Sequence, residues 1–304
     1  MSHENIKSLI ARHKAFDRLF ALTGILCLLI ALTTLTALII DLALDGSGRL
    51  TWTFFSSYPS RHPEEAGILS AWVGSLLVML VTASAAVPLG IASGIYLEEY
   101  APKNWITDLI EINIANLAGV PSIVYGLMAL GLFVYQFHLG HSILTAGLTL
   151  ALLILPIVII ATRETIRAVP STIREASYAL GATKWRTTRD HILPYSMHGI
   201  LTGIIIGLSR AIGETAPLIT IGALTFIAFL PSSPLTGDFP FISFQWTMDP
   251  YTVLPIQMFN WVSRPQQEFH LNSAAAGLVL MVMVLGMNGL AIYIRYRYRK
   301  RIKW

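Results

Sequence analysis

The sequence predicts an all-α polytopic membrane protein with six transmembrane helices. Hydrophobic residues make up 54% of the 304-residue chain and charged residues only 12%, with a mean hydropathy of +0.63. Soluble domains carry roughly a quarter charged residues. Long apolar runs recur along the chain. Most Lys and Arg residues lie in the two terminal segments and in every second loop between these runs. The net charge of +4 therefore reflects membrane topology and does not indicate nucleic-acid binding.

Six apolar runs are long enough to be spans, because a helix needs roughly 20 residues to cross a hydrocarbon core of about 30 Å. We place the spans near residues 19–40, 67–96, 114–135, 143–161, 198–230 and 274–294. The first run follows a basic leader, but it is too long for a signal-peptide core and lacks an obvious cleavage site, so we expect it to be retained. The single cysteine, Cys27, lies in this run and is expected to be free and buried. No repeat or low-complexity tract divides the chain, so residues 1–304 are treated as one domain.

The distribution of Lys and Arg predicts that both termini are cytoplasmic. Seventeen of the 21 basic residues lie in the leader, after the second span, after the fourth span or in the tail. Three lie on the other side, and one, Arg210, lies within the fifth span. Loops near span ends are enriched in Lys and Arg on the cytoplasmic side.

The segment "EEYAPKNWITDLIE", residues 98–111, follows the second span. Trp105, Ile106, Leu109 and Ile110 fall on one helical side. This spacing predicts an amphipathic helix that lies at the membrane interface.

The external segment of residues 231–273 contains six prolines, so it cannot form one regular helix. Its Trp246, Tyr251 and Trp261 are residue types typical of an interfacial aromatic belt. Interfacial packing is the favoured interpretation, and a docking surface is the alternative.

The most specific signal lies in the basic segment "TRETIRAVPSTIREASYALGATKWRTTRDHILP", residues 162–194. Pro170 is predicted to end one helix and Ser171 to cap the next. A second short helix is expected after Gly181 and is expected to end before Pro194. Residues 171–194, here called the bracket, would then protrude between two spans within a loop of residues 162–197.

The bracket resembles the EAA signature of ABC importer permeases, the binding-protein-dependent transport permeases. The matching residues are Glu175, Ala176, Gly181, Leu193 and Pro194. Two positions depart from the pattern, because Ser177 replaces a second alanine and His191 replaces an isoleucine. The resemblance implies a type I importer architecture in which Glu175, Ala176, Ser177, Gly181, Leu193 and Pro194 couple the chain to a separate ATPase. An ordinary basic cytoplasmic loop is the alternative.

Further stretches narrow the resemblance to the PstA-type permeases of phosphate importers, over nearly the whole chain. They are "PLGIASGIYLEEY" from Pro88, "GVPSIVYGL" from Gly119 and "SRAIGETAPL" from Ser209. The resemblance implies a bacterial inner-membrane subunit that works with a homologous PstC-like permease, two PstB-like ATPases and an external PstS-like phosphate-binding protein. A permease for another oxyanion, such as sulfate or phosphonate, and an ion-gradient-driven secondary transporter are the alternatives.

The fifth span carries two opposite charges in the stretch "LSRAIGETAPL". Gly199, Gly203, Gly207 and Ala211 recur every four residues and form a face that permits close helix packing. Arg210 projects beside that face, and Glu214 follows one turn later. An isolated arginine at mid-bilayer costs about 2.5–3.5 kcal/mol. The pair is either purely structural or lines an aqueous path in which Arg210 binds a phosphate oxyanion, and we favour the path.

Gly213 and Pro217 predict a helix hinge beside these charges, and Pro121 predicts a similar one in the third span. Ser122 is a further candidate for the substrate path, although a backbone hydrogen bond explains it as well. No phosphate-binding loop of the Walker type occurs in the sequence, so we expect no cofactor here, with ATP and Mg²⁺ on the partner ATPase. His138 and His141 are expected to be loop residues and not metal ligands. No catalytic constellation is visible, which argues against an enzyme.

Overall fold

A computed structural model of the chain describes residues 3–234, 241 and 243–299. The helices within these residues are His3–Gly46 (α1), Trp52–Ser56 (α2), Leu69–Ile95 (α3), Trp105–Leu117 (α4), Ser122–Ala129 (α5), Ile143–Arg167 (α6), Ser171–Ala179 (α7), Lys184–Thr187 (α8), Leu193–Gly213 (α9), Ala216–Thr220 (α10), Leu254–Val262 (α11) and Gln267–Arg299 (α12). Wider π-helical turns extend α3 over Tyr96–Tyr100, α5 over Leu130–Gln136 and α8 over Thr188–Ile192.

Five helical segments among the described residues are long and apolar enough to cross a membrane. They are Arg12–Arg49, Leu69–Tyr100, Ile143–Arg167, Lys184–Gly213 and Gln267–Arg297. A sixth crossing is made only if Trp105–Leu117 and Ser122–Gln136 are taken as one broken span. The chain bends by 106° between these two helices. The all-α polytopic fold is therefore confirmed.

The centre of the bundle consists of α3, α6 and α9, which approach one another closely at glycines. A methyl group at Gly94 of α3 would lie 2.7 Å from Cβ of Thr162 on α6. A methyl group at Gly203 of α9 would lie 2.2 Å from Cβ of Ala161, also on α6. The predicted small-residue face of α9 thus packs against α6, because only residues without a large side chain let two helix backbones come so near.

The third predicted span, residues 114–135, is not one straight helix. The chain leaves the helix after Leu117 and enters α5 through Pro121, whose backbone is extended at φ −55° and ψ 136°. Proline lacks an N–H and disfavours helical backbone in the residue before it, so the helix breaks here. The amphipathic helix begins at Trp105 and not at Glu98, because the Asn104 side chain accepts a hydrogen bond from the Thr107 N–H at 3.0 Å. Its predicted apolar face, with Trp105 and Ile106 among its residues, is exposed.

The fifth predicted span, residues 198–230, ends much earlier than the hydropathy indicates. Helix α9 stops at Gly213, Glu214 is extended with ψ 131°, and the short α10 follows. Pro217 lies in the first turn of α10, where its missing N–H costs no hydrogen bond. Gly213 and Pro217 therefore flank a full break between two helices and do not form a kink within one helix.

The three aromatic residues predicted to form an interfacial belt are buried. Trp246, Tyr251 and Trp261 all lie in the protein core. The Trp261 ring lies 6.1 Å from the Phe54 ring of α2 and 6.5 Å from the Phe269 ring of α12, measured between centroids. Trp261 is buried because α2 and α11 fold over the ends of the long helices, whereas Trp246 and Tyr251 belong to the core cluster that contains residues of α3 and α6.

Cys27 is also placed differently from the prediction, because it is exposed on α1. Most of the apolar length of α1 is exposed in the single chain. This helix packs on α12 near its C-terminal end, where Gly46 lies close to the Ala275 backbone and Leu42 contacts Gly277.

Candidate functional site

Arg210 and Glu214 form an ion pair at the break between α9 and α10. Arg210 lies in the last turn of α9, and Glu214 is the first residue after that helix. The Arg210 Nε donates to the Glu214 Oε1 at 3.2 Å. The pair predicted from the spacing is therefore formed. The side chains of Arg210 and Glu214 are 36% and 17% exposed, respectively, so both are partly accessible.

The two broken spans meet next to this pair. A methyl group at Gly126 of α5 would lie 1.8 Å from the Thr220 Oγ1 and 2.7 Å from the Pro217 Cα, both on α10. Gly126 therefore allows α5 and α10 to touch. Ser122, the half-buried first residue of α5, lies about one helical turn before Gly126 on the same helix.

Tyr125 bridges the bend between α4 and α5. This buried side chain donates from its hydroxyl to the Leu117 carbonyl at 2.8 Å, across the bend. The site therefore combines an arginine, a carboxylate and two interrupted helices, an arrangement that transport proteins use to bind ions within a membrane.

The bracket consists of α7, α8 and the π-helical turn that leads into α9. Gly181 has φ +81°, its N–H donates to the Tyr178 carbonyl at 2.9 Å, and the Ala182 N–H donates to the Ser177 carbonyl at 3.2 Å. This is a Schellman motif, which favours glycine at the left-handed position. The predicted break of the bracket at Gly181 is confirmed.

Two details of the bracket differ from the sequence prediction. Pro170 occupies the N-cap position of α7, so Ser171 is the first helical residue and does not cap the helix. Helix α8 runs through its π-helical turn directly into α9, with Pro194 in the first turn of α9. Pro194 therefore does not end a helix, because the helical segment continues past it from Lys184 to Gly213.

Ser177, which departs from the EAA signature, has a structural role in the bracket. Its Oγ lies 2.8 Å from the Thr187 Oγ1, and both residues are buried. This hydrogen bond joins α7 to α8. Glu175, Ala176 and His191 are exposed, as is Leu180 at the tip.

A set of ion pairs at the base of the bracket was missed by the sequence analysis. The pairs are Glu98–Arg163 at 3.2 Å, Glu98–Arg167 at 3.0 Å, Glu99–Arg174 at 2.7 Å and Glu111–Arg163. In the bonds made by Glu98 and Glu99, the partners stand 65 to 75 positions apart in the chain. Such separations leave no periodic signal. One indication in the sequence is that the second span ends in acidic residues. The basic loop after the fourth span is predicted to lie on the same side of the membrane.

Comparison with known proteins identifies the family. Residues 86–303 match the family described as binding-protein-dependent transport system inner membrane component. The chain belongs to this family. The permease is 31% identical over 288 residues to the phosphate transport system permease protein PstA of Mycobacterium leprae, with 93% of this chain and 88% of the relative covered. It is 35% identical over 253 residues to PstA of Yersinia pestis, with 82% and 78% covered.

Two further similarities agree with this family. A probable ABC transporter permease protein of Bacillus subtilis, YqgI, is 30% identical over 267 residues, with 86% of this chain and 90% of that relative covered. Among solved structures, the MetNI methionine ABC transporter in inward facing conformations matches with a TM-score of 0.56 and 15% identity, covering 74% of this chain and 93% of that chain. The latter similarity confirms the fold of a type I importer permease.

The permease is therefore a multi-pass inner-membrane transport subunit and not an enzyme. Membership of the family implies that it acts together with an ATPase, a substrate-binding protein and another permease.

Proposed function

We propose that this permease conducts inorganic phosphate inward as part of an ATP-driven importer. The importer would contain a homologous PstC-like permease, two PstB-like ATPases holding ATP and Mg²⁺, and an external PstS-like phosphate-binding protein. Relatives named as phosphate permeases, 31% and 35% identical over most of this chain, support the proposal. The distribution of Lys and Arg supports an orientation with the bracket and both termini in the cytoplasm.

The observation that carries the proposal is the partly exposed Arg210 side chain at the break between α9 and α10, where α10 packs against α5. Its hydrogen bond to Glu214 uses Nε, and the guanidinium carries four further N–H donors on its two terminal nitrogens. Those donors lie in one plane and match the spacing of two oxygens of a phosphate. Glu214 competes with the anion for Arg210, which keeps binding weak enough for release.

The bracket reaches this site through one helical segment. Lys184–Gly213 is a continuous stretch of 30 residues, about 45 Å long, which begins in the bracket and ends beside Glu214. When the ATPases close on Glu175, Ala176, Ser177 and Gly181, this segment transmits the motion to Arg210. Leu193 and Pro194 lie where the bracket enters α9. The breaks at Pro121 and between Gly213 and Pro217 allow α5 and α10 to open or close the path near Ser122.

The test is uptake of radioactive phosphate by the complete importer reconstituted in vesicles with ATP inside. We expect ATP-dependent phosphate uptake that excess sulfate or phosphonate does not displace. Arg210→Gln should abolish uptake, because it removes the charge that attracts the anion, while the subunits still co-purify. Arg297→Gln, on an exposed residue of the C-terminal tail, is the matched control and should transport normally.

Three outcomes would contradict the proposal. Displacement of phosphate by sulfate would assign another oxyanion as the substrate. Uptake driven by an ion gradient without ATP would indicate a secondary transporter. Normal transport by Arg210→Gln would reduce the ion pair to a structural role.

A further inference from the structure

Three consecutive residues after α3 contact three different helices at the base of the bracket. Glu98 binds Arg163 and Arg167 of α6, and Glu99 binds Arg174 of α7. The ring of Tyr100 lies 5.1 Å from the Lys184 Nζ of α8. Glu98, Glu99 and Tyr100 are here called the hub.

The backbone of the hub is unusual, and this geometry explains how three neighbours diverge. The hub lies in the π-helical turn Tyr96–Tyr100, which the Ala101 N–H closes by donating to the Tyr96 carbonyl at 2.8 Å. One extra residue in a turn shifts the direction of the side chains that follow it, and single π-helical turns occur frequently at functional sites.

The Glu99–Arg174 pair is the most buried contact of the hub. The two side chains are 5% and 20% exposed, respectively. Arg174 donates to the Glu99 Oε1 from Nη2 at 2.7 Å and from Nε at 3.1 Å. It also donates from Nη2 to the Ile166 carbonyl at 3.0 Å and from Nη1 to the Val169 carbonyl at 2.7 Å.

The bonds of Arg174 therefore join three elements at one point. Ile166 lies in the last turn of α6, and Val169 lies two residues beyond the end of that helix. Glu99 belongs to the end of α3, and Arg174 itself belongs to the bracket. A planar guanidinium with five N–H donors holds all of these acceptors in a fixed geometry.

We propose that Arg174 is a positioning residue that couples movement of the bracket to α3 and α6. Helix α9 moves with the bracket because it is continuous with α8. The Arg174 contact transmits the same movement to α3 and α6, which pack against α9. Without this contact, only the Tyr100–Lys184 contact and the packing of Ile173, among the described residues, hold the bracket to the other helices, so ATPase closure moves the bracket with less movement of α3 and α6. The inference rests on the proposed function, in which the ATPases press on the bracket.

The first experiment compares Arg174→Gln with the unaltered chain in the complete reconstituted importer. Phosphate uptake and ATP hydrolysis are measured on the same vesicles. We expect hydrolysis to continue while the phosphate imported per ATP falls several-fold. Glu99→Gln should lower the ratio in the same direction, and the double variant should be no worse than Arg174→Gln, because Arg174→Gln already removes the bond to Glu99. Arg12→Gln, on an exposed residue of α1, is the control.

The second experiment does not depend on the substrate. Spin labels are attached at Tyr96→Cys and Tyr178→Cys, both exposed positions, in a Cys27→Ser background. We expect the distance between the labels to stay constant on ATP binding in the unaltered chain and to change in Arg174→Gln.

Either of two results would overturn the inference. An unchanged ratio of phosphate to ATP in Arg174→Gln would show that the contact transmits nothing. Loss of hydrolysis together with loss of uptake, or loss of the ATPase from the purified importer, would show a structural role. Failure of the proposed function is distinguishable, because the unaltered importer would then take up no phosphate while the label distances still report the coupling.

Discussion

At the scale of single residues, Arg210 combines a full charge with a position at the end of an apolar helix. The bond to Glu214 offsets part of the cost of placing this charge within a membrane, about 2.5–3.5 kcal/mol on insertion scales. Both side chains are partly exposed in the single chain. Under the proposed function, anion binding depends on the planar donors of arginine and not on charge alone.

Replacing Arg210 with lysine tests this dependence. Arg210→Lys keeps the positive charge but removes the planar pair of donors. We expect membrane insertion and assembly to be retained, while the KM for phosphate uptake rises and the maximal rate falls. Uptake measured over a series of phosphate concentrations checks this expectation. Kinetics equal to those of the unaltered chain would mean that charge alone is sufficient.

Ser177 offers a second prediction at this scale. Ser177→Ala removes the hydrogen bond to Thr187 and leaves a buried hydroxyl without that partner. Such a loss costs about 1–3 kcal/mol, so we expect a lower unfolding temperature for the purified importer in detergent. The double variant Ser177→Ala with Thr187→Val should recover most of the stability, because apolar groups then replace both partners. Equal stability of Ser177→Ala and the unaltered chain would exclude this role.

At the scale of elements, two interrupted spans pack against each other in place of two continuous helices. Helix α5 follows Pro121 and helix α10 includes Pro217, and they touch at Gly126. The hydropathy of both regions is that of a span, because apolar residues continue past each break. The prolines therefore decide where the helices end, and close packing decides how the pieces meet.

Gly126→Ala tests the contact between α5 and α10. The added methyl group would clash with Pro217 and Thr220, and overpacking of this kind costs about 1–3 kcal/mol. We expect phosphate uptake to fall strongly, because α5 and α10 must separate next to Arg210. Gly131→Ala is the matched control, since a methyl group at Gly131 has no atom within 4 Å. Equal uptake by both variants would show that the contact can relax without harm.

At the scale of the whole molecule, the hub and the bracket form one end, and the buried aromatic cluster around Trp261 belongs to the segments that cover the other helix ends. The orientation of this arrangement in the membrane is predicted from charge. In a Cys27→Ser background, we expect a membrane-impermeant thiol reagent to label Trp185→Cys only in inside-out vesicles. The same reagent should label Arg61→Cys only in right-side-out vesicles. The opposite pattern would reverse the topology.

The sequence by itself determined the features that depend on local composition and spacing. These are the all-α membrane fold, the bracket with its break at Gly181, and the pairing of Arg210 with Glu214 four residues later. Each follows from hydropathy, from the conformational freedom of glycine or from the helical repeat, which act over a few neighbouring residues.

Only the tertiary structure decided the features that join distant parts of the chain. It packed α5 against α10 at Gly126, buried Trp261 in the core and brought Glu99 to Arg174 across 75 positions. Hydropathy cannot distinguish an apolar residue facing lipid from one facing protein, because both environments exclude water. Long-range ion pairs likewise have no sequence period, since the packing of α3, α6 and the bracket selects which charges meet.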